Sequence, residues 1–194
     1  QGIFSQSYGS GGFAQGILSR SFGEGSSSFG ISTFSAGLSS FAQGLNSRAN
    51  LGIANFATGA NSQASGRVAS AAFNLNTTAS GDASTSFGNG TTAEAVASFV
   101  IGQNNKIEKE AANSFVGGEN SKATHRNSFV FGKGVESLGE NTAVFGGTVY
   151  AQNFKLTEGF LDIGFMNKRI EELMRVAQNL DERVTEIELK YIGK

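Results

Sequence analysis

The chain has 194 residues, no Cys, Pro or Trp, 27 Gly and a formal net charge of -1. That combination excludes a disulfide framework, a basic nucleic-acid surface and a polybasic membrane contact, and the regular recurrence of Gly and Ser favours an ordered repeat over a linker. No apolar stretch reaches the roughly 18 to 20 residues of a membrane span, and Gln1-Gly2-Ile3-Phe4 carries no basic signal region, so the sequence reads as starting inside a repeat, as a fragment or the C-terminal part of something longer.

The repeat comes first. Gly2, Gly9, Gly16, Gly23, Gly30, Gly37 and Gly44 are seven residues apart, and the series resumes at Gly52, Gly59 and Gly66 and again at Gly81 and Gly88. Such self-similarity is the mark of a solenoid. Asn74 stands where a Gly is due, and Asn is the best replacement for Gly in a left-handed backbone, so the series is conformational. Seven residues suit one short strand and a tight turn. The residue two before each Gly is usually small (Ser7, Ala14, Ser21, Ser28, Ser35, Ala42, Ala57, Ala64, Ala72, Ala79, Ser86). Because strand side chains alternate, these small residues line an interior while the positions one and three before each Gly point outward. Two units then make one coil of a narrow solenoid that holds little more than Ala and Ser.

Every second unit ends at position 2, 16, 30, 44, 59, 74, 88, 102, 118, 132 or 146, a period of about fourteen. From the second onward each brings an aromatic to the outer face: Phe13, Phe29, Phe41, Phe56, Phe73, Phe87, Phe99, Phe115, Phe129 with Phe131, and Phe145. The alternate units lose this feature, as Tyr8, Phe22, Phe34 and Leu51 give way to Gln63, Ser65, Thr78 and Ser80. Phe rungs do not fit inside a coil lined by Ala and Ser, which argues against a monomer with Phe in its own core. Left in water they form an apolar stripe larger than a soluble monomer tolerates, so they are expected to form the core of an assembly with other chains.

From residue 97 the repeat becomes specific: Ala97-Ser98-Phe99-Val100-Ile101-Gly102, Asn113-Ser114-Phe115-Val116-Gly117-Gly118, Asn127-Ser128-Phe129-Val130-Phe131-Gly132 and Asn141-Thr142-Ala143-Val144-Phe145-Gly146. These resemble the Asn-Ser-Val-Ala-Ile-Gly head repeats of YadA-like trimeric adhesins, which also occur in phage tail fibres. The resemblance implies an all-β repeat, a left-handed parallel β-roll, packed as a homotrimer around a threefold axis and working in attachment. The family's neck, with its Asp-Ala-Val-Asn core, is replaced by Gly147-Thr148-Val149-Tyr150-Ala151-Gln152-Asn153-Phe154-Lys155-Leu156, and its C-terminal anchor barrel is not in this sequence. Both departures favour a phage or tailocin tail fibre over a bacterial surface adhesin.

The predicted organisation is a roll over 1–146, a neck over 147–163 and a trimeric coiled coil over 164–194. Charge follows it: residues 1–105 hold six ionic side chains and residues 155–194 hold fifteen. Met166, Ile170, Leu173, Ala177, Leu180, Val184, Ile187 and Tyr191 alternate spacings of four and three, a heptad seam with Ile170 and Val184 at a, Leu173 and Leu180 at d. Glu171 with Arg175 and Glu186 with Lys190 are spaced for pairing on the outside. Arg183-Val184-Thr185-Glu186-Ile187-Glu188 resembles trimeric coiled-coil signatures, with Arg183 and Glu188 placed to pair between helices.

Catalytic parts are scarce. There is one His, His125, which reads as a solvated turn residue, and there is no Cys and no Gly-x-Ser-x-Gly elbow. No metal-ligand spacing accompanies the His, and no cofactor is expected. Glu94, Glu108, Glu110, Glu119, Glu136 and Glu140 leave open a fibre-borne glycan hydrolase or lyase that pairs carboxylates across subunits. Thr33, Thr58, Thr77 and Thr85 occupy no common rung, which speaks against an ice-binding surface. The expected activity is extracellular, non-enzymatic binding of a host receptor or glycan. The candidate contacts are Lys106, Glu108, Lys109, Glu110, Lys122, His125 and Arg126, in the outer turns 103–112 and 119–126, with 133–140 a third candidate turn; all three read as longer than the repeat needs.

Overall fold

The computed structural model describes residues 2–50, 52–148, 154–156, 159–161 and 163–191, and the chain forms two compact units, Gln1–Gly147 and Thr148–Lys194. The first is an all-parallel β-solenoid. Its long strands are β2 (Phe13–Ile17), β4 (Ser27–Ile31), β6 (Phe41–Leu45), β8 (Phe56–Ala60), β10 (Ala71–Leu75), β12 (Thr85–Asn89), β14 (Phe99–Gln103), β16 (Phe115–Glu119), β18 (Phe129–Lys133) and β19 (Ala143–Phe145). Its short strands are β1 (Gln6–Ser7), β3 (Arg20–Ser21), β5 (Phe34–Ser35), β7 (Arg48–Ala49), β9 (Gln63–Ala64), β11 (Thr78–Ala79), β13 (Thr92–Ala93), β15 (Lys106–Ile107) and β17 (Lys122–Ala123). The long strands form one ten-stranded sheet and the short ones a nine-stranded sheet. Each coil lies on the last at a step of about fourteen residues, with Gly16 opposite Gly30 and Gly30 opposite Gly44. In the second unit β20 (Phe154–Leu156) pairs antiparallel with β21 (Gly159–Leu161), and a helix, α1, runs from Ile163 to Tyr191.

The interior follows the predicted alternation, with Ala42, Ala49, Ala57, Ala64, Ala72 and Ala79 fully buried. At the first coil Ser7 is exposed and Ala14 half-buried, because no coil precedes them. Two features depart from an Ala and Ser lining. Toward the C-terminal end the core widens to Val100, Ile107, Val116 and Val130. A second inward row, three residues beyond most of the glycines, is polar: Ser19, Ser26, Thr33, Ser40, Ser47, Asn55, Ser62, Thr77, Ser84, Thr91, Asn105 and Ser121 are buried.

These polar groups sit where the chain turns between sheets and add side-chain donors to inward-facing carbonyls, some of which already accept a backbone N–H: Ser26 O takes both Phe13 N–H and Ser21 Oγ. They satisfy one another across and between coils: Ser28 Oγ meets Thr33 Oγ1 at 2.7 Å, Thr33 Oγ1 donates to Ser19 Oγ at 3.1 Å, and Asn105 Nδ2 donates to the carbonyls of Ile101 and Gly118 at 2.7 Å each. Among the described residues no buried side-chain N or O lacks a partner. A hydroxyl can donate and accept at once, so a row of Ser and Thr closes its own network without water.

The glycines are needed for two different reasons. Gly102 (φ 116°) and Asn74 (φ 83°) represent the long-strand series, where the backbone is left-handed as the Asn substitution indicates. Gly81, in the alternate series, does not have a left-handed φ; there a Cβ would lie 2.0 Å from the carbonyl oxygen of Ala95 on the next coil, so close approach forbids a side chain. A further left-handed position, two residues beyond the Gly, carries Asn46, Asn61 and Asn76, whose amides form a ladder at 3.3 and 3.0 Å. Asn113, Asn127 and Asn141 form a second such ladder at 3.3 and 2.8 Å.

Candidate interaction faces

Along each long strand the second residue points inward and the first and third point outward. The Phe side chains use one or other of these outward positions: Phe41 and Phe56 the first, Phe73 and Phe87 the third, Phe129 and Phe131 both. The rings therefore zigzag between two columns and stay in contact. Centroid separations run from Phe13–Phe29 at 5.2 Å through Phe41–Phe56 at 4.9 Å and Phe73–Phe87 at 5.8 Å to Phe115–Phe129 at 4.8 Å and Phe129–Phe145 at 5.5 Å. Between Phe87 and Phe99, Ile101 takes the position opposite Phe87. Gly117 faces Phe131, whose ring edge is 2.8 Å from where a Gly117 Cβ would stand; the absent side chain makes room for the ring.

The zigzag has an apolar flank on each side. On the strand-exit side Ile17, Ile31, Leu45 and Leu75 fill the fifth strand position and are exposed. In later coils Asn89, Gln103, Glu119 and Lys133 replace them. On the strand-entry side Leu38, Ile53 and Val68 stack on consecutive coils, each about half exposed. Neither flank follows from the Gly and Phe periods; the signal for them in the sequence is the apolar residue directly after Gly16, Gly30, Gly37, Gly44 and Gly52. The short sheet carries a separate aromatic ladder at its N-terminal end, Tyr8–Phe22 stacked at 4.8 Å and Phe22–Phe34 tilted at 5.4 Å.

The candidate receptor residues form a ladder rather than a pocket. Lys106 pairs with Glu94 at 3.3 Å, Lys122 with Glu108 at 2.7 Å and Lys133 with Glu119 at 3.1 Å, each bond joining neighbouring coils. Only the turn between Ile107 and Ser114 is longer than its neighbours: Ile107 is opposite Ala123 but Phe99 is opposite Phe115, so coils here are sixteen residues apart, and the addition places Lys109 and Glu110 on the exposed tip. The turns through Arg126 and Glu136 keep the ordinary step of fourteen, as Phe115 opposite Phe129 and Lys122 opposite Glu136 require, so they are not extended. His125 is also not a free turn residue. It is half-buried, its Nδ1 lies 3.0 Å from Ser137 Oγ, and its carbonyl accepts from Ser128 Oγ at 2.7 Å. Thr33 and Thr77 are interior residues, which accounts for their lack of an outer rung.

The Lys122 ammonium beside Glu108 holds that carboxyl below its ordinary 4.5, and Glu108 in turn raises Lys122 above its ordinary 10.5. Hydrogen bonds from Arg67 Nε and Nη2 to the same Asp82 Oδ2 likewise lower Asp82. The depressed carboxyls contribute stability above their unfolded pKa that is lost as pH falls through the folded value; the raised Lys122 contributes below 10.5 and loses it as pH rises further. Stability is expected to be flat through neutrality and to fall on acidification below about 4.5. These pairs are exposed, so the effect is small. Thermal unfolding between pH 7 and 3 for the wild type and for Glu108→Gln checks it: the variant should lose less stability on acidification, and identical profiles would contradict the assignment.

In α1 the described seam residues Ile170, Leu173, Ala177, Leu180, Val184, Ile187 and Tyr191 are all exposed in the single chain. Met166 lies in the helix, but its side chain is outside the described residues, as are positions 149–153, 157–158 and 162 of the neck. Among the described residues the intrahelical ion pair is Arg169–Glu172 at 3.0 Å, not Glu171–Arg175 or Glu186–Lys190. No cluster of three or more metal-ligating side chains occurs among the described residues. No family model matches the chain, and no curated protein shows significant similarity to it.

Proposed function

We propose that the chain is one strand of a homotrimeric extracellular attachment fibre, a shaft and receptor-binding segment of a phage or tailocin tail fibre, with a bacterial trimeric surface adhesin as the alternative. The observation that carries this reading is the Phe zigzag on the outside of the long sheet, in two runs joined through Ile101, with Phe13, Phe56, Phe87, Phe99, Phe129, Phe131 and Phe145 each more than a third exposed. A threefold interface is heterologous and needs two different complementary surfaces on each chain. The Leu38, Ile53, Val68 flank and the Ile17, Ile31, Leu45, Leu75 flank provide such a pair on either side of the rings. The exposed heptad seam of α1 supports the same stoichiometry through Arg183 and Glu188, and a trimer at one end aligns three rolls in register at little entropic cost. The likeness of the 97–146 repeats to YadA-like heads supports attachment, and the unlike connector at 147–156 favours the tail-fibre form.

Attachment rather than turnover is supported by the carboxylates themselves. Glu94, Glu108 and Glu119 each face a lysine of the next coil, the arrangement of a stabilising ladder. The test is adsorption of the labelled segment to bacterial envelopes alongside an assay for released reducing sugar. Saturable adsorption without sugar release is expected; release would favour the glycan hydrolase or lyase. To locate the contact, Lys109→Gly, Glu110→Ser and Arg126→Ser together alter only exposed turn residues, since Ile107 and Ala123 are fully buried and must stay. Reduced adsorption by an otherwise intact particle would place the receptor contact there, and unchanged adsorption would assign these turns to the shaft.

A further inference from the structure

The short sheet carries a feature that the trimer does not need. Strands β3, β5 and β7 set Arg20, Phe34 and Arg48 in register on consecutive coils, so the backbones of the two arginines lie two strand spacings apart, about 10 Å, with Phe34 between them. Both arginines are exposed, and none of the described ion pairs involves either. Glu24 is the only carboxylate in residues 1–81. The Tyr8–Phe22–Phe34 ladder ends at Phe34, and where the next ring would lie there is an open depression of about 540 Å³ lined by Phe22, Phe34, Ala36, Asn50 and Ser65. A second depression of about 400 Å³ shares Phe34 and Asn50 and reaches both arginines.

We infer that this surface binds an acidic sugar of a host-surface glycan, with the C–H face of the pyranose on Phe34, its carboxylate between Arg20 and Arg48, and its hydroxyls on Asn50 and Ser65. Arginine recognises planar carboxylates in two-point fashion, and the uncovered end of an aromatic stack offers the apolar platform that a sugar ring needs. An acidic peptide has less to hold. β3, β5 and β7 are paired on both sides, which leaves no strand edge for augmentation. A nucleic acid meets only two arginines on a chain whose net charge is -1. The biological role of this site rests on the attachment reading, while the chemistry of binding can be measured without it.

The intact 194-residue chain is titrated calorimetrically with oligogalacturonate and with oligosialate, and with neutral dextran, polyglutamate and single-stranded DNA as comparisons. At least one acidic glycan is expected to saturate the chain, with dextran silent and polyglutamate and DNA at least tenfold weaker. The double variant Arg20→Gln/Arg48→Gln should weaken glycan binding at least tenfold and Phe34→Ser at least threefold. Arg67→Gln, which removes an exposed guanidinium elsewhere on the roll, should leave it unchanged. Circular dichroism and light scattering confirm that each variant keeps its fold and assembly. Binding by neither glycan, an unaffected arginine variant, or polyglutamate binding that equals the glycan and ignores Phe34→Ser would each overturn the site. Cell adsorption surviving in the arginine variant sinks this inference and leaves attachment standing; glycan binding without any cell adsorption does the reverse.

Discussion

Phe115→Asp is expected to break the assembled particle, giving monomers or aggregate in place of a single species. Its ring stacks on Phe99 at 5.7 Å and Phe129 at 4.8 Å, so the substitution interrupts the zigzag in its best-ordered stretch. In a trimer it also brings three carboxylates to one level of an apolar interface, at a cost of several kcal/mol for each ion that finds no partner, on the order of the whole stability of a domain. Phe99→Asp and Phe129→Asp should act alike. Phe22→Asp, on the short sheet, loses stacking with Tyr8 and Phe34 but leaves its carboxylate in water, so it should keep the oligomer and cost only about 1 kcal/mol. Sedimentation of the four variants decides the matter. Equal damage from Phe22→Asp and Phe115→Asp would mean that the two faces do not play the different roles assigned to them.

Gly102→Val should be the most damaging single change inside one roll. A β-branched residue at φ 116° adopts a backbone that L side chains avoid, and its Cβ would stand 2.0 Å from the Gly118 carbonyl oxygen and 2.9 Å from Asn105 Nδ2. Strain of about 1–2 kcal/mol joins an overpacking cost of about 1–3 kcal/mol, and the displaced Asn105 loses its bonds to Ile101 and Gly118. Because coils are held only by their neighbours, the break should also uncouple the coils on either side. Gly134→Asn is the matching control. Gly134 has φ 65° with nothing within 4 Å of its Cβ position, and the equivalent place two coils earlier is Asn104 with φ 51°. Thermal unfolding should drop markedly for Gly102→Val and stay near the wild type for Gly134→Asn; similar melting of both variants would contradict this account of the glycines.

Much of the roll was legible because it rests on period alone. A Gly every seven residues, small residues two before it and Phe on every second unit suffice to place inward and outward side chains, and the parallel register bears this out from Gly16 opposite Gly30 to Gly118 opposite Gly132. What stayed hidden depends on how the turns fold. The buried Ser19, Thr33 and Asn105 lie outside regular strands, where alternation gives no direction, and polar residues ordinarily point to water. The pairing of Lys122 with Glu108 joins residues fourteen apart in sequence and becomes visible only once the coils stack. The half-buried place of His125 is hidden for the same reason, since its partner Ser137 belongs to the following coil. The Arg20–Phe34–Arg48 column was equally concealed: each residue belongs to a different unit, and register alone aligns them.

The central claim is that the exposed Phe zigzag and the exposed helix seam are covered by two further copies of the same chain. Light scattering coupled to size exclusion, at micromolar concentration and physiological salt, tests it most directly. A trimer of 20.2 kDa chains has a mass of about 60.6 kDa, and a single peak of that mass is the predicted result. A monodisperse 20.2 kDa monomer that remains soluble with both surfaces bare would contradict the account, and so would a stable dimer or tetramer.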